Sequence, residues 1–210
     1  MSVSGRVSGF FRQDGDSVAF TDLVLQDMGD HKTYRVDPTT IGKLYWDRNL
    51  PVTVQVAPDG VTYAAPVVGY EVQHLSGYVV FASPLNATAK VKVSGSSFTI
   101  AQVGGAYGWS LDMKVDTVDA STFGGNGWKE YVSTFKQYTA KADKFWVNEA
   151  EFNLFNKEII FLYFVDVGNG RQRFEGWGTI QGQSVTVSTG ELIKAPLEIT
   201  GTSRLWFRRD

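Results

Sequence analysis

The chain has 210 residues and a formal net charge of −2, with 20 Lys and Arg against 22 Asp and Glu, so it lacks the electrostatic footprint of tight nucleic-acid binding. Cysteine is absent, which excludes a disulfide framework, a thiol nucleophile and a cysteine-ligated metal. Hydrophobic residues at 43% and aromatics at 14% suffice for a real core, while a charged fraction of 20% suits a surface that partners will cover and equally an ordinary compact β domain. The most apolar run, Ile159 to Val165, is too short to span a bilayer, and Met1 to Arg6 lacks the apolar core of a signal peptide. The expectation is a protein kept in a cytoplasm until it is assembled, with no membrane partner.

Taken in order, residues 3 to 12 and 18 to 26 read as two short strands around the turn Gln13-Asp14-Gly15-Asp16. Leu23 and Leu25 alternate with Asp22, Val24 and Gln26, so the second strand is half buried. Asp37-Pro38-Thr39-Thr40 starts a turn or short helix ending near Trp46. Two hairpins follow. Val52 to Val56 turns at Asp59-Gly60 into Val61 to Ala65, and Tyr70 to Val72 passes through Ser76-Gly77 into Tyr78 to Phe81. Ala89, Val91 and Val93 alternate with Lys90, Lys92 and Ser94, and Phe98 to Val103 leads to Gly104-Gly105.

Residues 108 to 139 organise the rest. Trp109, Leu111, Met113 and Val115 alternate with Ser110, Asp112, Lys114 and Asp116, which predicts a strand with one buried and one wet face. A glycine-rich loop, Gly124-Gly125-Asn126-Gly127, follows. Trp128, Tyr131, Val132 and Phe135 then fall at i, i+3, i+4 and i+7, the stripe of a short helix with Asn126 as N-cap, packing on the outside of a sheet. A strand from about Tyr138 ends at Lys144 to Val147. Asn148 and Glu151 suggest a capping box for a second short helix, with Val147 and Phe152 as its staple. Four closing strands are expected. Ile159 to Val167 should be covered on both faces; then come Arg171 to Gln181, Ser184 to Ser188 and about Leu197 to Phe207. The fold class that follows is mainly β, an antiparallel sandwich or partial barrel with one flanking short α-helix and a second short helix. The expected organisation is a single domain over 1–210, with 50–95 as a hairpin elaboration.

No reaction chemistry stands out. His31 and His74 lie far apart in loop-like sequence without metal-ligand spacing. Asp112, Asp116 and Asp119 admit an acid–base pair or a calcium site, but alternation on a wet strand produces the same pattern. No nucleophile elbow, phosphate loop or zinc helix is present, so neither an enzyme nor a cofactor is expected. Trp128, Tyr131, Tyr138, Trp146, Trp177 and Trp206 suggest either a sugar-binding face or ordinary packing and protein contacts.

The run Trp109 to Asp119, then Thr122-Phe123-Gly124, then Gly127-Trp128-Lys129-Glu130-Tyr131, resembles the central segment of tail tube proteins of long-tailed bacteriophages, most clearly over about residues 104 to 208. The resemblance implies a virion subunit assembled in the host cytoplasm. Such subunits form hexameric rings stacked into a tube, each lending strands to an inner barrel through which DNA passes without specific binding. It also implies tape-measure and terminator proteins as partners. On that reading Asp112, Lys114 and Asp116 lie on a lumenal or solvent face. The loop with Thr122, Phe123, Gly124 and Asn126 makes an inter-subunit contact. A carbohydrate-binding sandwich module, and a tail terminator or baseplate protein, are the alternatives.

Overall fold

The computed structural model describes residues 8–40, 42–120, 129, 131–167 and 171–209. In chain order its strands are β1 Gly9–Asp27, β2 Thr33–Arg35, β3 Tyr45–Trp46, β4 Thr53–Ala57, β5 Tyr70–Gln73, β6 Tyr78–Phe81 and β7 Lys90–Gln102. They continue with β8 Ala106–Asp119, β9 Tyr131–Lys144, β10 Glu158–Phe164, β11 Arg173–Gln183, β12 Leu197–Gly201 and β13 Trp206–Arg208. The chain is mainly β and its strand registers are antiparallel. The strand order is open, ending at β8, which pairs only with β9 among the described residues. Two compact units form, one from Met1–Arg12 with Gln102–Asp210, the other from Gln13–Ala101.

In the first unit the order is β1, β10, β11, β12, β9, β8, and β13 also pairs with β11. The run Ile159 to Phe164 is buried on both faces, as its continuous apolar sequence predicts. One face carries Phe10, Ile159, Phe161, Tyr163, Ile180, Leu197 and Ile199, against which Trp109, Leu111, Leu154 and Phe155 pack. Phe10 stacks on Phe161 at 5.9 Å and on Tyr163 at 5.3 Å between centroids. The expected last strand is broken into β12 and β13. Gly201 pairs with Gly178 and Trp206 with Glu175, so four residues, 202 to 205, stand opposite only two on β11. The excess must bulge outward, and Thr202 fixes it by donating its N–H to the Trp177 carbonyl at 2.9 Å.

The second unit has its own core, including Phe20, Tyr34, Trp46, Val54, Val79, Phe81, Val91 and Val93. β5 and β6 form the predicted hairpin, with Ser76 and Gly77 both at positive φ, and β6 adds to β2 and β2 to β1. The Asp59-Gly60 turn is present, with the Asp59 carboxylate accepting from the Val61 and Thr62 amides. Its return is a single bridge, Val56 to Ala64, because β4 takes β7 as its main partner.

Three expectations are corrected. The first two strands are one 19-residue strand, β1. Its start pairs with β10 and its end with β2, so the two halves never pair with each other, and Gly15 at φ 68 is accommodated within the strand. The helix through Trp128, Tyr131, Val132 and Phe135 is not formed: Trp128 lies outside the described residues, and Tyr131 onward is strand β9. Tyr, Val, Thr and Phe all favour a pleated surface, and the register to β8 runs from Tyr131 to Lys144, which outweighs a short local stripe. The second helix is a single 3-10 turn, Phe152–Leu154. Asn148 does accept the Ala150 amide at 3.1 Å, but Glu151 turns its carboxylate to Lys144 at 2.5 Å and Arg12 at 3.5 Å instead of closing a capping box. Val147 and Phe152 are exposed and make no staple.

β9 leaves the sheet just past Tyr138. The Tyr138 ring occupies the space that a Cβ on Gly176 or Gly201 would fill, and its hydroxyl donates to the Trp177 carbonyl. Gly201→Ala should therefore lower stability by about 1–3 kcal/mol through overpacking, read by thermal or urea unfolding. Gly108→Ala is the control. There the added methyl would meet Asp143 only at ordinary contact distance, 3.6 Å, and little change is expected.

Candidate assembly surface

The register of β8 on β9 runs from Ala106 opposite Lys144 to Asp119 opposite Tyr131. β12 pairs only with residues 139–142 of β9, from Thr200 opposite Thr139 to Leu197 opposite Ala142. Beyond that point the two strands continue as a two-stranded arm. At its root the predicted alternation holds. Trp109 and Leu111 pack on the core beside the small partners Ala142 and Ala140, and the Trp109 ring lies 5.6 Å from that of Tyr163. Further out it fails. Met113 is 63% and Val115 49% exposed, because β12 and the core no longer lie beneath them.

A bulge then changes the arm's pattern. Val115 pairs with Lys136 but Thr117 pairs with Ser133, so Thr134 and Phe135 together oppose Asp116. The Thr134 hydroxyl holds the bulge by donating to the Asp116 carbonyl at 3.0 Å. Phe135 is thereby thrown to 78% exposure, with Val118, Tyr131 and Val132 more than half exposed around it. Of the residues expected to pack a helix on the outside of a sheet, Tyr131, Val132 and Phe135 are thus the exposed apolar part of a strand arm.

Asp112, Lys114 and Asp116 are all exposed on β8. By register they share the face of Thr139, Gln137 and Lys141, opposite to the face that packs on the core. Lys141 pairs with Glu198 at 2.9 Å, and that carboxylate holds its ammonium above the usual range. Thr122, Phe123, Gly124 and Asn126 lie outside the described residues. No group of three or more His, Asp or Glu able to hold a metal is found among the described residues. His31 is paired with Asp27, and His74 is half-buried, which lowers its pKa by desolvation. Of the described aromatics in that set, Trp177 and Tyr138 are buried, and Trp206 lies under Arg204 and Arg208 at 3.9 and 4.4 Å.

Sequence reading missed the groove at the arm's root. It is an open cleft of about 800 Å³ between Met113, Val115, Lys136 and Tyr138 on one side and Arg204 and Leu205 of the bulged segment on the other. Its second wall is anchored by Glu175, which is fully buried and joins Arg173 and Arg208, each at 3.1 Å. Only the mismatch of the β12 and β13 registers on β11 reveals the bulge, and a sequence cannot show that.

No family model matches the sequence, and no curated protein matches it. Several solved structures are similar, two of them from gene transfer agent particles. A chain in the virion of a native gene transfer agent particle shares 14% identity at a TM-score of 0.45, over 51% of this chain and 88% of that one. A chain in the tail of an empty gene transfer agent particle with C6 symmetry shares 12% at 0.44, over 52% and 86%.

Glu175→Ala should cost about 3–5 kcal/mol, since it removes the fully buried carboxylate that joins Arg173 and Arg208. Phe135→Ser, at an exposed position, should stay within about 0.5 kcal/mol of the parent. Chemical unfolding of both variants checks the contrast.

Proposed function

We propose that the protein is a structural, non-catalytic subunit of a phage-type tail tube, working without a cofactor. The observation that carries this reading is the β8–β9 arm. Among the described residues the whole outer edge of β8 lacks a partner strand, and so does β9 beyond its pairing with β12. A long unpaired edge flanked by exposed apolar side chains is a liability in a lone subunit. It is an asset when another copy supplies the missing strand.

The two free edges differ, so β8 of one copy pairs with the far half of β9 in the next. Such head-to-tail contacts close into a ring when the rotation permits. Six copies per ring is the number the sequence resemblance implies. The polar face of Ser110, Asp112, Lys114 and Asp116 then lines the lumen. Its mixed charge gives phosphates no sustained run of cations to hold them, which suits passage of DNA. Tape-measure and terminator proteins are the further partners on this reading, and the virion tail is the location.

Negative-stain microscopy of concentrated protein tests it, with rings and stacked tubes as the expected result. Val118→Asp with Phe135→Asp should keep the parent's melting temperature and abolish rings. A parent chain that sediments as a monomer at every concentration and forms neither rings nor tubes contradicts the reading. Rings that never elongate point instead to a terminator or baseplate role.

A further inference from the structure

β12 has a distinctive feature at each end. Before it, residues 184–194 form a loop closed by two backbone hydrogen bonds between Thr186 and Lys194, at 2.9 and 3.1 Å. The loop base is tied down, with the Trp146 amide donating to the Ile193 carbonyl at 2.8 Å. Yet Val185, Val187 and Leu192 are 51%, 70% and 67% exposed, and Ile193 is 36% exposed. Four apolar side chains thus stay exposed on one short, anchored loop, which solvent disfavours. Glu191, near the tip, makes no ion pair among the described residues.

After β12 comes the groove at the arm root. Met113, Val115, Tyr138 and Leu205 give it an apolar lining, and Lys136 and Arg204 supply charge. Among the described residues no carboxylate lines it. Neither cation has an ion-pair partner among the described residues, and Arg204 has only the face of Trp206. Loop and groove thus match in character, apolar to apolar and acid to base. They are separated by the five residues of β12, about 17 Å of extended chain, and among the described residues none of the subunit's own loop lines its groove.

We propose that the loop 184–194 of one copy inserts into the arm-root groove of a second copy, with Leu192 and Val187 on its apolar lining and Glu191 between Lys136 and Arg204. The contact is heterologous and points along β12, so repetition gives an open stack instead of a closed pair. It rests on the tail-tube reading and supplies the ring-to-ring contact of that reading. Each insertion is small, but every ring makes one per subunit at once, and such linked contacts multiply in effect.

The chain has no cysteine, so two introduced thiols are the only ones present. Leu192→Cys with Leu205→Cys, oxidised during assembly, should give a ladder on non-reducing gels that runs past the dimer and collapses on reduction. Either single variant should stop at dimer. Glu191→Lys alone should leave rings but lose tubes, and adding Arg204→Glu should restore them. Tubes that form normally with no ladder, or a Glu191→Lys chain whose tubes match the parent's, overturn the insertion while leaving the tail-tube reading standing. A parent chain that yields neither ring nor tube overturns both.

Discussion

The packing of Tyr138 into the notch left by Gly176 and Gly201 is the constraint on which the rest of the first unit depends. It is the last buried residue of β9 on the way out from the core. On its inner side Ala140 and Ala142 keep the strand on the sheet, paired with β12. On its outer side every residue of β9, Tyr131 to Gln137, is exposed. A side chain on either glycine would push the ring out and the strand with it. The Tyr138 hydroxyl on the Trp177 carbonyl completes the clamp, and Thr202 donates to the same carbonyl. One point on β11 therefore sets both where the arm departs and where the 202–205 segment bulges, and between those two the groove opens.

The buried ions serve the same layout. Glu151 gathers Lys144, the end of β9, and Arg12 of β1. Glu175 gathers Arg173 and Arg208 and so holds β13 to β11. Pairs this buried add little net stability over apolar residues of the same shape, but removing one partner is costly, so they fix register. Buried ion pairs thus flank the arm root, while the arm itself, among the described residues, presents a strand edge without a partner strand and exposed apolar side chains. That is the combination a subunit needs to be folded before assembly and incomplete until it.

Much of the β framework was legible in the sequence. The all-apolar run at Ile159 to Phe164, the alternation in Val91 and Val93, and the Ser76-Gly77 turn all reflect local patterns that the fold respects. The failures share one physical cause, partner choice over long range. Asp14-Gly15 looks like a turn, yet its flanking strands pair elsewhere. Tyr131, Val132 and Phe135 look like a helical stripe, yet β8 claims them. Met113 and Val115 continue a buried alternation, yet the sheet ends before them. Alternation puts Asp112, Lys114 and Asp116 on one lumenal or solvent face of a strand, and all three residues are exposed on β8. The groove, the bulge at Thr134 and Phe135, and the role of Tyr138 depend on register mismatches that no single stretch encodes.

The claim that carries the most weight is that the outer edge of β8 is completed by another copy. Amide hydrogen exchange over 106–119, compared between free subunit and assembled material, addresses it directly. In the free chain the β8 amides that do not bond to β9 should exchange quickly, and on assembly they should become protected along the length of the strand. If assembled material leaves those amides exchanging as fast as in the free subunit, the edge is not where the copies meet.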